Sequence, residues 1–461
     1  MKNILSLKKI ILLFGDILVF SLTLYLTLVI RYLDIFLPEN SNKWQGHIGP
    51  FTGLFFVWVI IFYMGNLYNL HYASNNSKFF QLFNRSMGFA IVSSLIFFYA
   101  NPYVGISPKV NLFLFIIFFY ILFFLWRRLF NLSLKSYLPK TNIAIIGLDA
   151  QAAKLTNELK NLPHLGYNVS FIVNDQQNAG NGYDTGNTPI IQGIDTLSKN
   201  ITDYKINLII LNANPHNSPE LRAALFSFLK YKIGYMSLPN FYENITGKIP
   251  LELLSQMWFL ENLSEGNKVM FDRFKRFYDL ILSLFILIIT LPFWPLIAIY
   301  IKHESKGPAF FKQTRTGLNN KPFTLIKFRT MKMENNNFAP TGNNDNRITK
   351  FGNFLRKTRI DEIPQILNII SGDMSFVGPR PERPELISEL AENIPFYNER
   401  MLVKPGLTGW DQVSGEYHSP SREDTIKKLQ YDLFYIKNRS IYLDLAILLR
   451  TVATVISQKG I

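Results

Sequence analysis

The sequence predicts a membrane protein, α plus α/β, in three parts. Residues 1–135 form a bundle of four transmembrane helices. Residues 136–265 form a Rossmann-like cytoplasmic domain, and residues 266–461 an α/β domain containing a re-entrant helix hairpin at 277–301. Three observations carry this reading. Four long apolar runs crowd into the first third of the chain. Short apolar strands alternate with helical periodicity between 141 and 240. A fifth apolar run contains two prolines, Pro292 and Pro295, with basic residues on both sides.

Composition narrows the classes. There is no Cys among the 461 residues, which excludes a disulfide framework, a thiolate zinc site and a cysteine nucleophile. The 48 Lys+Arg against 33 Asp+Glu give a net charge of +15, which in a soluble chain would suggest nucleic acid. Here only 18% of residues are charged, 15% are aromatic and 40 are Phe. That combination fits a membrane protein with Lys and Arg on the cytoplasmic side and membrane lipids, not nucleic acid, as partners. With 48% hydrophobic residues the chain is not disordered.

The four runs, 10–33, 51–67, 87–104 and 112–130, are each close to the ~20 residues that a spanning helix needs. The first is too long for a signal-peptide core and no small-x-small cleavage site follows it. Basic residues fall unevenly between the runs. Lys2, Lys8, Lys9, Lys78, Arg85, Arg127, Arg128, Lys135 and Lys140 lie on one side, and Arg31, Lys43 and Lys109 on the other. The positive-inside bias places the N-terminus and everything after residue 130 in the cytoplasm. Asp16 and Asp34, near the ends of the first run, read as interfacial or helix–helix contacts.

In the middle region, 142–147, 167–173, 189–191, 207–211 and 234–238 read as strands, and 150–161 and 219–231 as helices. Alternation of this kind predicts a parallel sheet. The phosphate-binding fingerprint is incomplete: only Gly147 of G-x-G-x-x-G is present, and Asp149 stands where the second Gly should be. An acidic side chain there repels phosphate. Asp175, where a ribose ligand could lie, stands alone. The domain reads as structural or regulatory. The segment 178–187 reads as an exposed loop.

The fifth run could span, but Arg273, Lys275 and Arg276 precede it and Lys302, Lys306, Lys312 and Arg315 follow. Pro292 and Pro295 each remove a backbone donor and clash with the preceding turn. Both features favour a hairpin that enters one leaflet and returns.

The last 160 residues or so hold the polar motifs. In 354–370, Ile360, Ile363, Ile366, Leu367 and Ile370 recur at helical spacing with one face inward. Pro364 belongs in a first helical turn, which puts Asp361 and Glu362 at or near the helix N-terminus, with Gly372 as the stop. The helix N-terminus and the cations Arg356, Lys357 and Arg359 favour both carboxylates ionised. An ionised Asp is a competent nucleophile towards phosphorus, and a neighbouring Glu can hold Mg²⁺. Taken alone, the pair also reads as an N-cap beside a dipole-compatible acid. Its surroundings point to chemistry. Arg380 lies in the Gly/Pro-rigid loop Gly378-Pro379-Arg380-Pro381, suited to bidentate phosphate recognition. Gln313, Arg315, Lys327 and Arg329 are interleaved with aromatics upstream and are expected on the phosphate-binding surface. The segment 404–415 is a Gly-punctuated loop with Trp410, suited to closing over a ligand. Lys275, Arg276 and Lys302 read equally well as facing anionic headgroups.

On these blocks, residues 270–461 resemble the catalytic domain of the bacterial polyprenyl-phosphate hexose-1-phosphate transferases, the monotopic phosphoglycosyl transferases. The matching pieces are Lys275-Arg276-x-x-Asp279, Gly307-Pro308 with Phe310-Phe311-x-Gln313, and Lys327-Phe328-Arg329-Thr330-Met331. Then come Leu355-Arg356-Lys357 to Asp361-Glu362-x-Pro364-Gln365, Gly372-Asp373-Met374-Ser375 with Gly378-Pro379-Arg380-Pro381, and Lys404-Pro405-Gly406 with Thr408-Gly409-Trp410. The whole chain resembles the large members, which carry four membrane helices and a Rossmann-like domain and act on galactose or glucose. One departure is visible: Leu291-Pro292 stands where small members have Ser-Pro.

The resemblance implies an activity. Asp361 would attack the β-phosphate of a UDP-hexose, releasing UMP and leaving a phosphosugar on the aspartate. Undecaprenyl phosphate would then take the phosphosugar, the initiating step of exopolysaccharide, capsule or O-antigen synthesis at the bacterial inner membrane. Glu362, with Asp361, would hold Mg²⁺, and Arg356 and Arg380 would hold phosphates. The large relatives also imply a homodimer. Two other readings fit the layout less well. A membrane-anchored dehydratase or epimerase would need G-x-x-G-x-x-G and Tyr-x-x-x-Lys in the C-terminal part, and neither is there. A transport subunit would carry polar residues inside its spans, and the four runs have almost none at their centres, while a scaffold with a dead catalytic domain is disfavoured by the intact Asp361-Glu362 pair.

Overall fold

The structure is a computed structural model. It describes residues 2–32, 41–99, 109–136, 140–174, 183–194, 196–212, 218–231, 233–254, 256–263, 268–332, 345, 347–414 and 421–456. Asp34 and Asp175, part of the loop 178–187 and the end of the segment 404–415 lie outside them. The chain divides into two compact units, Met1–Leu238 and Pro239–Ile461.

The first unit opens with four long helices, α1 (Lys2–Tyr32), α2 (Ser41–Met64), α3 (Ser77–Tyr99) and α4 (Lys109–Ser136). Each contains a stretch long and apolar enough to cross a membrane. Phe115, Phe119 and Phe123 recur every fourth residue, so they form one stripe on α4. They pack with Phe20, Phe51, Trp58, Phe62 and Phe83 into a shared aromatic core. The Phe119–Phe123 and Phe62–Phe123 ring centroids are 4.9 and 4.8 Å apart. The opposite face of α4 leaves Phe113, Ile121 and Leu125 exposed, as a lipid-facing surface requires. Trp58 Nε1 donates to Ser94 Oγ at 3.0 Å, so the indole is not left unpaired.

Asp16 makes the helix–helix contact expected of it. Its carboxylate receives Arg127 Nη2 at 2.6 Å and Trp126 Nε1 at 3.0 Å, and Arg127 Nη1 donates to the Leu67 carbonyl at 2.7 Å. Both charges are fully buried.

The same unit holds β1 (Thr141–Ile146), α5 (Ala150–Asn161), β2 (Tyr167–Asn174), β3 (Ile190–Gln192), α6 (Leu197–Asp203), β4 (Leu208–Leu211), α7 (Pro219–Ser227) and β5 (Gly234–Ser237). The sheet is parallel, in the order β3-β2-β1-β4-β5, the order of a Rossmann half continued by two strands. The helix expected over 219–231 stops at Ser227 and finishes as a 3₁₀ turn. Asp149 is the N-cap of α5, its carboxylate accepting Ala152 N at 2.8 Å. The chain's own acid thus occupies an amide that a bound phosphate would use.

The second unit contains α8 (Leu238–Thr246), α9 (Gln256–Asn262), α10 (Val269–Thr290), α11 (Trp294–Glu304), β6 (Phe310–Thr316), β7 (Pro322–Phe328), α12 (Lys350–Thr358), α13 (Ile366–Ser371), β8 (Ser375–Val377), α14 (Pro384–Asn393), β9 (Gly406–Thr408), α15 (Arg422–Asn438) and α16 (Ile441–Ile456). Segment 239–263, read from sequence as the end of the middle domain, packs in this unit. Ile249 and Leu251 are buried with Met374, Leu429 and Leu433, because their apolar side chains find a larger core here.

The fifth apolar run is a helix–break–helix. Pro292 sits in the single 3₁₀ turn Leu291–Phe293, and Pro295 in the first turn of α11, where a missing N–H breaks no helical bond. Around the break Ile288, Phe293, Leu296 and Ile299 are exposed. The root of α10 is anchored: the Arg276 guanidinium donates to the Ile369 carbonyl and, at 2.7 Å, to that of Ile370. It thereby caps the C-terminal end of α13. Lys275 pairs with buried Asp444. These two cations face protein acceptors, not headgroups, because α13 and α16 pack against the root of α10. Lys302 is exposed. The far end is anchored too: Trp294 and Ile301 pack with Phe328 and Leu355, and the Glu304 carboxylate accepts Phe351 N at 3.1 Å.

β8 and β9 run parallel at close quarters. A Cβ on Gly378 would lie 2.3 Å from the Lys404 carbonyl oxygen, and one on Gly406 2.1 Å from Gly378 N. Both obstacles are backbone, so neither can swing away. Gly378→Ala is expected to destabilise the unit by at least the ~1–3 kcal/mol typical of overpacking. Its denaturation midpoint in detergent, compared with that of the parent chain, checks this.

Candidate active site

The site is assembled from α12, the turn that follows it, the β6–β7 hairpin and the loop after β8. Thr349 caps α12 by accepting Gly352 N at 2.9 Å. The helix delivers Arg356 in its last turn, where Arg356 Nε donates to Thr330 Oγ1 at 2.9 Å. Arg359 then adopts a left-handed conformation, φ 58°, and reverses the chain direction. The next residues, Ile360–Gln365, form a 3₁₀ turn containing Pro364, and α13 begins only at Ile366. Asp361 and Glu362 therefore lie in the first turn of a 3₁₀ segment leading into the helix. Gly372, φ 95°, ends the helix as expected. Ile366 and Ile369 face the core, whereas Leu367, expected inward, is 37% exposed, because the change from three to 3.6 residues per turn rotates the face.

Asp361 is 6% exposed, and its Oδ1 is buried with no hydrogen-bond partner among the described residues. Glu362 Oε1 lies 3.1 Å from Arg380 Nη2 and 3.7 Å from Arg359 Nη1. Burial, and then the charge of Glu362, push the Asp361 carboxyl up to about 6, against the pull of Lys327, Arg356 and Arg359. Burial also opposes the Glu362 charge, but Arg380, Arg359 and Lys327 outweigh it and hold that carboxyl below its ordinary value. The expectation that both acids would be driven to ionise holds for Glu362 only: Asp361 Oδ1 has no donor among the described residues, and desolvation dominates.

The antiparallel β6–β7 hairpin pairs Phe311 with Lys327, Gln313 with Leu325 and Arg315 with Phe323, so all six share one face. Lys327 Nζ lies over the Phe311 ring at 5.3 Å. Burial lowers the Lys327 pKa, while Asp361 and Glu362 pull it the other way. Arg315 and Gln313 do not reach the carboxylates. Arg315 Nη2 donates to Gln313 Oε1 at 2.8 Å and Nη1 to the Pro381 carbonyl at 3.1 Å. Arg329 is also placed elsewhere: its buried guanidinium donates to the Lys306 and Ser305 carbonyls at 2.8 and 2.7 Å. Near the end of β7 it is drawn to the unpaired carbonyls after α11. Trp410 is held rather than free to close over a ligand. It stacks on Phe434 at 5.6 Å, donates to the Gly247 carbonyl at 3.0 Å and lies under Arg450.

The structure thus brings Asp361, Glu362, Arg356, Lys327 and Arg380 to one place, with Arg359, the cation expected beside the pair, against Glu362, and with Thr330 as a partner of Arg356 that has no expected role. The proximity of Thr330 to Lys327-Phe328-Arg329 was the one available signal for it. Such an arrangement holds one carboxylate ready to ionise among cations that suit phosphate oxygens.

Residues 270–458 match the family model described as bacterial sugar transferase. The chain is 30% identical over 327 residues to a UDP-glucose:undecaprenyl-phosphate glucose-1-phosphate transferase of Xanthomonas campestris pv. campestris, covering 69% of this chain and 67% of that one. It is 31% identical over 326 residues to the protein of the same description in Escherichia coli (strain K12), covering 68% and 67%. To a UDP-N-acetylgalactosamine-undecaprenyl-phosphate N-acetylgalactosaminephosphotransferase of Aeromonas hydrophila it is 35% identical over 243 residues, covering 52% and 55%. The chain belongs to the bacterial sugar transferase family. Within it, the chain is a phosphotransferase enzyme built on membrane helices.

Proposed function

We propose that the protein transfers a hexose-1-phosphate from a UDP-sugar to undecaprenyl phosphate and releases UMP. The observation that carries the reading is the state of Asp361. It is buried, has one oxygen without a partner among the described residues, and sits among Arg356, Lys327 and the Glu362–Arg380 pair. The ionised Asp361 attacks the β-phosphorus, the bond to the UMP oxygen breaks, and UMP leaves. Undecaprenyl phosphate then attacks the same phosphorus and frees the aspartate. Arg380 and Arg356 hold phosphates, and Lys327 offsets the charge that develops on them.

The two adjacent carboxylates, with the orphaned Asp361 Oδ1, suit Mg²⁺, which is commonly bound through one or two carboxylates plus substrate phosphates. Glu362 and Asp361 would hold it, and it would supply charge neutralisation to the diphosphate.

The membrane geometry supports this reading. A straight helix over the 36 residues Val269–Glu304 would be about 54 Å long. Yet its start anchors on α13 and its end on β7 and α12, neighbouring elements of one unit. A re-entrant hairpin that dips into the cytoplasmic leaflet of the inner membrane meets both anchors and brings a lipid phosphate and a soluble nucleotide to one interface. The relatives acting on glucose and N-acetylgalactosamine set the range of donors to try, and the route is surface polysaccharide initiation. A homodimer accords with the large members.

The full chain purified in detergent, given Mg²⁺, undecaprenyl phosphate and each of a panel of UDP-sugars, is expected to release UMP with at least one donor. Without the lipid it should still exchange labelled UMP into that donor, as a covalent intermediate requires. Absence of UMP release with every donor would sink the reading.

A further inference from the structure

The loop that carries Arg380 has an unusual set of supports. Pro379 and Pro381 have no N–H and a fixed φ, which stiffens the loop and removes two of its own donors. Four consecutive carbonyls are held from outside. Gly406 N donates to Pro379 O at 2.9 Å and Thr316 N to Glu382 O at 3.0 Å. Arg315 Nη1 donates to Pro381 O at 3.1 Å. The fourth donor is Arg400 Nη2, which reaches the carbonyl of Arg380 itself at 3.0 Å.

Arg400 is held in turn. Its Nη2 lies 2.8 Å from Asp432 Oδ2, and its Nη1 donates to the Tyr397 hydroxyl at 2.6 Å. The Arg400 and Asp432 side chains are 7% and 4% exposed. A buried ion pair stabilises a fold little better than apolar residues of the same size. What this pair supplies, and an apolar pair could not, is a rigid planar donor aimed at one carbonyl. The side chain of the same residue, Arg380, reaches Glu362 at 3.1 Å.

We propose that Arg400, clamped by Asp432 and Tyr397, is a positioning residue for Arg380: it fixes the backbone of Arg380 so that the guanidinium stands beside Glu362 where a phosphate is held. The inference rests on the reading above that Arg380 binds phosphate. It also gives Arg315 a part in positioning the same loop. Arg400 does not touch substrate and acts only through Arg380.

The test is a double-mutant cycle on the full chain, read as kcat/KM for UMP release. Arg400→Lys keeps the charge near Asp432 but loses the planar fork. It is expected to lower kcat/KM by on the order of 10–100-fold, as small misplacements of binding groups do. In an Arg380→Ala background, followed with radiolabelled donor, the same change should cost less than about two-fold, because its target is gone. Tyr397→Phe, which removes one hydroxyl and keeps the core ring, should show a smaller loss with the same dependence on background. It stands in if Arg400→Lys does not fold. Equal losses in both backgrounds, or none in the parent, would overturn the proposal and leave Arg400 as ordinary core structure. If Arg380→Ala alone has no effect, the phosphate-binding reading of Arg380 fails, and the proposal fails with it.

Discussion

Asp361→Asn is expected to lower UMP release by roughly 10³-fold or more, the scale on which loss of a covalent nucleophile registers. The same carboxyl sets a pH dependence. Burial and Glu362 raise it to about 6, so kcat/KM in the parent chain should climb as pH rises through about 6 and the nucleophile ionises. Stability runs the other way. In the unfolded chain Asp361 ionises near the ordinary carboxylate value, whereas in the fold it holds its proton to about 6. Its contribution is complete below the unfolded value and is lost as pH rises through about 6. At neutral pH, with divalent cations chelated, the neutral Asn side chain should therefore make the fold more stable than the parent. A variant that is inactive and also less stable at neutral pH would show that Asp361 holds structure, not chemistry.

Asp16→Leu is expected to give the largest loss of stability. The pair with Arg127 is fully buried among α1, α4 and the segment after α2. Removing Asp16 leaves a buried guanidinium without its counter-charge between the Tyr68 and Phe123 rings, still bonded to the Leu67 carbonyl. Breaking a buried pair in this way costs about 3–5 kcal/mol, whereas replacing both charges by apolar residues is often neutral. Asp16→Leu and Arg127→Met alone should each lower the denaturation midpoint in detergent, and the double variant should recover most of it. A double variant as unstable as the two losses summed would mean that each side chain acts independently.

Much of the fold is legible in residue patterns. The Phe115-Phe119-Phe123 stripe and the apolar runs are local facts of composition and period. So are the strands of the parallel sheet, whose interior Ile and Val residues sit between covering layers. The helix α6 was not legible, because its seven residues carry too few apolar positions to show a period. The change from 3₁₀ to α at Ile366 was hidden too, since Pro364 is compatible with either.

The site was legible as a set of residue types but not as a set of neighbours. Lys327, Arg329 and Arg315 look alike in sequence, as cations between aromatics. The hairpin register puts Lys327 beside Asp361, while end-of-strand geometry sends Arg329 to the carbonyls after α11 and Arg315 to the Arg380 loop. Arg400 and Asp432 gave no signal at all, because nothing local relates two residues that meet only through tertiary packing.

The sequence by itself determined the membrane character, the parallel α/β middle, the proline-broken helix and the Asp361-Glu362 pair at or near a helix N-terminus, all of which follow from local period, charge and backbone chemistry. The tertiary structure alone decided which cations serve the carboxylates and which serve the scaffold. It also decided that Asp361 is held near 6 while Glu362 stays ionised. Both outcomes depend on burial and on distances between residues far apart in the chain, and a charge's energy is set by how far it is from water and from its neighbours.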